Sequence, residues 1–219
     1  VRNPSEEVIQ KYGHHIRHLL FGWRGSLATF VLYLTSSPNI TSLAVWSDFR
    51  PQEEWFHFFK RLPLVRLSMY PITLLMDNER LEEGPKEAHT LFLCFPQLTH
   101  LDLVLELPLP YIPCLKSLPN LRYLSMYLPA HSIRNSSFPD LRNDSPGFKV
   151  LVIIREGTEI HEYEESDDDL TNIKDPRVVS CLVPSYVRDW ERGARGQFDV
   201  YDFGLEILKK RMAKNGDRV

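Results

Sequence analysis

The chain has 219 residues, 43 % of them hydrophobic and 25 % charged, with a formal net charge of −3. Such a balance excludes disordered and fibrous classes, and it lacks the excess of clustered Lys and Arg that a nucleic-acid backbone demands. The longest apolar run, Leu27 to Leu34, falls far short of the roughly 18 residues that span a bilayer, so no membrane segment is expected. Cys94, Cys114 and Cys181 lie far apart with no C-x-x-C pair, which points away from a disulfide framework or structural zinc and toward a reducing, cytoplasmic or nuclear home. The chain opens at Val1 without an initiator Met, and Val1 to Lys11 has neither the basic start nor the apolar centre of a signal peptide. An excerpt of a longer protein is expected.

In chain order, an apolar-x-x-apolar-x-apolar template recurs six times: Ile16 to Phe21, Ile40 to Val45, Leu64 to Met69, Leu98 to Leu103, Leu121 to Met126 and Phe148 to Ile153. Its middle residues, at 19, 43, 67, 101, 124 and 151, are spaced mostly within the range of about 20 to 29 residues of leucine-rich repeats. Pro38-Asn39, Pro63, Pro96-Gln97 and Pro119-Asn120 stand just upstream of four copies, where a turn would feed a strand. A short strand cannot bury its apolar residues alone, but parallel strands stacked about 4.8 Å apart bury a continuous ribbon. The expected fold is therefore α/β, a right-handed leucine-rich-repeat solenoid over residues 1–155 with parallel strands on its concave face and irregular helices outside. The return segments Gly25 to Leu34, Pro51 to Leu62 and Glu79 to Leu93 carry apolar residues at helical spacing. Leu109 to Leu118 is too rich in proline for more than one turn. The competing interpretation is a generic α/β domain, although neither G-x-G-x-x-G nor G-x-x-x-x-G-K-[ST] occurs.

Residues 156–174 are expected to be a solvated, mobile acidic loop, since Glu156 to Asp169 holds eight acids and no Lys or Arg, a block that self-repels. It lacks the ligand order of a calcium-binding loop. Val178 to Val183 reads as a strand, and Phe198 to Met212 as a helix with Asp199 and Asp202 early and Lys209-Lys210-Arg211 late, charges that complement its dipole. Residues 175–219 are expected to cap the open end of the solenoid, covering the apolar Val150, Val152 and Ile154.

The copies Phe95 to Leu103 and Leu118 to Leu124, together with Asp175-Pro176-Arg177-Val178-Val179 and Asp189-Trp190-Glu191, resemble the leucine-rich-repeat region of F-box-like proteins of mushroom-forming fungi. The resemblance covers nearly the whole chain. It implies a substrate-recognition role in a ubiquitin-ligase subunit, with a Skp-type adaptor held through an upstream F-box that these residues do not include. One departure is that the Asn or Cys expected after each Leu-x-Leu is missing, with Asp48, Ile72, Glu106 and Pro129 in its place, so the backbone ladder it would support must be irregular or replaced.

No nucleophile elbow, H-E-x-x-H or kinase signature occurs, so no catalytic residue or cofactor is assigned and the chain is not expected to be an enzyme. His14, His15 and His18 have no Cys or carboxylate at ligand spacing, and no metal site is assigned. Strand alternation sends the residues flanking each middle Leu to an open concave face. Trp46, Arg66, Tyr70, His100, Asp102, Tyr123 and Tyr127 make the candidate protein-binding patch there, because Trp, Arg and Tyr dominate interface hot spots. The other interpretation of the same residues is a sheet face whose cross-strand aromatic pairs serve stability. A monomeric protein-interaction module is expected, without nucleic acid or membrane. The alternative is a secreted or surface recognition domain, since Asn39-Ile40-Thr41, Asn135-Ser136-Ser137 and Asn143-Asp144-Ser145 match the glycosylation pattern.

Overall fold

A computed structural model describes residues 5–22, 26–46, 57–70, 92–104, 114–115, 117–127, 147–157, 162–166 and 175–216. It is α/β with an eight-stranded, mostly parallel sheet among those residues. Two compact units divide the chain, one of residues 1–100 and 107–120, the other of residues 101–106 and 121–219.

In the first unit, α1 (Glu6–Tyr12) starts on Ser5, whose hydroxyl accepts from Val8 N at 3.4 Å, and carries Glu6 and Glu7 in its first turn. It was not anticipated from sequence. A 3₁₀ turn (Gly13–His15) follows. Gly13 is buried, and a Cβ there would lie 2.4 Å from the carbonyl oxygen of Ser36, so only glycine permits this approach to the next helix. Strand β1 (His18–Gly22) leads to α2 (Leu27–Ser36), capped by Ser26. The expected Gly25 to Leu34 helix is thus present, and its Phe30 ring packs 4.9 Å from Phe21 of β1. Strands β2 (Ser42–Trp46) and β3 (Arg66–Met69) continue the sheet in the order β1, β2, β3. Of the helix expected over Pro51 to Leu62, residues 57–59 are helical and the residues before them lie outside the described set; so does nearly all of Glu79 to Leu93.

Strand β4 (His100–Leu103) begins in the first unit and continues in the second. The second unit adds β5 (Tyr123–Tyr127), β6 (Val150–Glu156), the two-residue β7 (Glu164–Glu165) and β8 (Val178–Val183). Their order is β4-β5-β6-β8-β7, with β7 antiparallel to β8. Helices α3 (Tyr186–Ala194) and α4 (Val200–Gly216) close the chain. Asp199 caps α4 by accepting from Tyr201 N and Asp202 N, while Asp202 accepts from Asp199 N. That reciprocal pair satisfies donors a helix start leaves open.

Each of β1 to β6 begins two residues after the first apolar residue of its sequence copy. Registers agree: Leu19 pairs with Leu43 and Leu43 with Leu67 in the first unit, and Leu124 with Leu151 in the second. The strand starts repeat one hydrogen-bond pattern. Thr41 N and Ser42 N donate to Arg17 O, Val65 N and Arg66 N to Thr41 O, Thr99 N and His100 N to Val65 O, and Lys149 N and Val150 N to Arg122 O. Asn39 donates through its amide to His14 O and Asn120 to Pro96 O, each at 2.8 Å. These two Pro-Asn turns supply side-chain bonds between successive turns from a position just before the strand.

The middle leucines are buried throughout, as are the flanking residues Ser42, Ala44, Ser68, Ser125, Val150 and Val152. Burial on both faces is the usual state of a parallel sheet. At these positions it corrects the expectation of an open concave face, whereas His18 is exposed and Leu20, Tyr70, His100, Tyr123 and Tyr127 are half-buried.

Candidate functional site

In the first unit, Trp46 ends β2 and is only 6 % exposed; its indole N–H donates to Ser68 Oγ at 2.9 Å in β3. Arg66, opening β3, is 4 % exposed. Neither side chain stands out from the sheet. Tyr70, just past β3, and His100, at the start of β4, are half-buried, and His100 Nδ1 lies 2.7 Å from Thr99 Oγ1.

In the second unit, three candidate residues are drawn into internal contacts with the C-terminal helices. Asp102 is 1 % exposed, and its Oδ1 accepts from Ser125 Oγ at 2.7 Å and from the Tyr201 hydroxyl of α4 at 2.6 Å. A carboxylate in such a place is tolerated because donors replace its water shell. The Tyr123 ring lies 5.4 Å from the Tyr201 ring, and Lys149 Nζ donates to the Tyr123 hydroxyl at 3.2 Å. The Tyr127 ring lies 5.5 Å from Tyr186 of α3. Farther along, α4 meets β6 at Gly204, where a Cβ would stand 3.0 Å from Val152 Cγ2 and 3.3 Å from Val150 Cγ2. The C-terminal helices therefore lie over the row Asp102, Ser125, Tyr123, Tyr127, Val150 and Val152. Cover over Val150 and Val152 was expected of the C-terminal segment; its extension to Asp102 and the tyrosines was not.

The acidic segment also departs from expectation. Residues 162–166 are folded: β7 pairs with β8 through Glu164↔Leu182 and Glu165↔Cys181, and Ser166 N donates to Ser180 O. Tyr163 donates to Asp189 of α3 at 2.7 Å, stacks on Phe203 at 5.5 Å and meets Phe198 edge-on at 5.7 Å, with the Arg192 guanidinium over its ring. Burial, with the charge of Asp189 behind it, pushes the Tyr163 phenol well up. Asp189 also accepts from Val200 N at 2.9 Å, so one buried carboxylate joins α3, the start of α4 and the acidic segment. Glu165 pairs with Arg211 of α4 at 2.8 Å. Glu159 and Asp167 to Asp169 lie outside the described residues.

Sequence reasoning passed over Tyr163, Tyr186, Asp189 and Tyr201 as functional positions. A signal existed for α3, since Ser185 followed by Tyr186, Trp190 and Ala194 is a cap and an apolar stripe at four-residue spacing. None existed for Tyr201, whose carboxylate partner lies 99 positions away.

His14 and His15 belong to the 3₁₀ turn with ring centroids 3.9 Å apart, and His18 opens β1, so the three do not share a strand. Among the described residues no group of three or more His, Cys, Asp or Glu side chains is placed to hold a metal, and no helix is long and apolar enough to cross a membrane. The three cysteines are free and buried, and burial raises each thiol above its ordinary value, with Lys60 opposing at Cys94 and Asp189 reinforcing at Cys181. A buried, protonated thiol is a weak nucleophile. Asp175 binds the Arg177 guanidinium at 3.0 Å, and that guanidinium sits over the Phe148 ring, so the Asp-Pro-Arg segment joins the starts of β6 and β8. No family model matches the chain, nor does any curated protein or solved structure.

Proposed function

We propose that the chain is a protein-recognition module built as a leucine-rich-repeat solenoid, the substrate-binding part of an F-box-like ubiquitin-ligase subunit whose Skp-type adaptor is held by a separate upstream segment. The observation that carries the repeat interpretation is the strand-start hydrogen bond, made four times at the spacing of the sequence template. A generic α/β domain has no reason to repeat it. The recognition role rests on the resemblance and on the residue types of the patch. Tyr70 and His100 are its surface-accessible members in the first unit. Asp102, Tyr123 and Tyr127 are engaged by α3 and α4 in the second.

The secreted alternative is less favoured. Asn39 Nδ2, the atom a glycan would occupy, donates to His14 O, and the other two sequons lie outside the described residues.

The test is proximity labelling in a fungal host with the upstream region restored, comparing wild type with a Tyr70→Ala, His100→Ala double variant. Arg66→Glu and Trp46→Ala are unsuitable, because burial of both residues would confuse lost binding with lost folding. The adaptor should label with both proteins, while a distinct set should disappear with the variant alone. Absence of the adaptor removes the ligase role, and an unchanged labelled set removes Tyr70 and His100 as recognition residues.

A further inference from the structure

We propose that residues 162–166 are a strap that holds α3 and α4 over the β4–β6 row, so that its release, with the strands unmoved, uncovers Asp102, Tyr123 and Tyr127. The inference concerns regulation of the recognition face and rests on that reading of it. Three separate contacts make the strap. Its backbone pairs with the outer side of β8. Tyr163 reaches Asp189 on α3 and packs against Phe198 and Phe203 at the start of α4. Glu165 pairs with Arg211, whose other guanidinium nitrogen donates to Val178 O, further along α4. One five-residue segment thus touches both covering helices and the sheet beneath them.

The strap is held far less firmly than what it holds. Its strand has two residues, Glu162, Glu164 and Glu165 are exposed, and the Glu165–Arg211 pair is partly solvated. Exposed pairs and short strands open at little cost. The strands below have Ser125, Val150, Val152 and Ile154 without exposure, and open only with their core. Among the strap's contacts the Tyr163–Asp189 bond reaches deepest, since Asp189 is buried and also holds Val200 N at the start of α4. Losing the Tyr163 hydroxyl removes one donor from that carboxylate and weakens the seating of both helices.

Hydrogen exchange on the full chain tests this. In Tyr163→Phe, which keeps the ring contacts, amides of 186–194 and 200–211 should exchange about tenfold faster, as expected for loss of one bond to a charged group. Amides of 123–127 and 150–154 should keep their wild-type rates. Equal acceleration of helices and strands overturns the proposal, and so do unchanged helices. A second readout needs no variant: Cys181 is buried, pairs with Glu165 across β7 and β8, and feels the charge of Asp189. Alkylation of the wild-type protein should modify Cys181 in molecules whose 150–154 amides remain protected. Modification only in step with loss of that protection overturns the proposal. Neither measurement involves a binding partner, so failure of the strap and failure of the recognition role are separable.

Discussion

Asp102 and Tyr201 show how one hydroxyl decides what a buried charge does. Asp102 Oδ1 receives two short bonds, from Ser125 and from Tyr201, and the second crosses from β4 to α4. Tyr201→Phe removes a donor and leaves the carboxylate where water cannot replace it, a loss of about 1.5–3 kcal/mol for a bond to a charged group. Tyr123→Phe is the matched comparison, because the Tyr123 hydroxyl accepts from Lys149, an exposed residue; its cost should stay within about 0.5 kcal/mol. Urea denaturation of both variants measures the difference, and equal costs would mean that Tyr201 contributes only its ring. Of the candidate patch, Asp102, Tyr123 and Tyr127 are each in contact with the chain's own C-terminal helices.

At the scale of elements, the Pro-Asn turns tie one turn of the chain to the next through their side chains. Asn39 and Asn120 each donate to a carbonyl of the turn before, across 25 and 24 positions. Asn39→Ala and Asn120→Ala should each cost about 1 kcal/mol, the net worth of one such bond, and should do so independently, since sites without shared partners add. Denaturation of the two single variants and the double checks this; two neutral variants would show that water replaces the amides. Strand positions were legible because an apolar template at a fixed offset needs only local sequence, and α4 was legible because Asp199, Asp202 and the late basic residues mark its direction. What lay over the strands was not. Alternation says that Ser42, Arg66, Ser68, Asp102 and Ser125 share faces, and polar residues on one face read as a wetted surface; in the fold these five are buried. The acidic block misled for a related reason. Its charge count argues for solvation, yet Tyr163 among the acids has an aromatic seat and a carboxylate acceptor that lie 26 to 40 positions downstream.

Among the described residues, burial raises the weak acids Tyr33, Cys94 and Cys114 in the first unit and Tyr163 and Cys181 in the second. Raised acids favour the fold while both states are protonated. Their contribution is complete below the unfolded value and declines as pH rises through it toward the folded value, because unfolding then releases protons that the native state retains. For Cys181 the decline begins near the ordinary thiol value of 9.0, and for Tyr163 near the ordinary phenol value of 10.0. Stability should therefore fall above pH 9 in both units. Tyr163→Phe starts lower at neutral pH, having lost its bond to Asp189, but it has no phenol to ionise, so its curve above pH 10 should be shallower and approach that of the wild type. Urea midpoints from pH 7 to 11, with a reductant holding the thiols, test this. Parallel curves for the two proteins above pH 10 would mean that Tyr163 ionises as easily folded as unfolded, and that its bond to Asp189 is not held in solution.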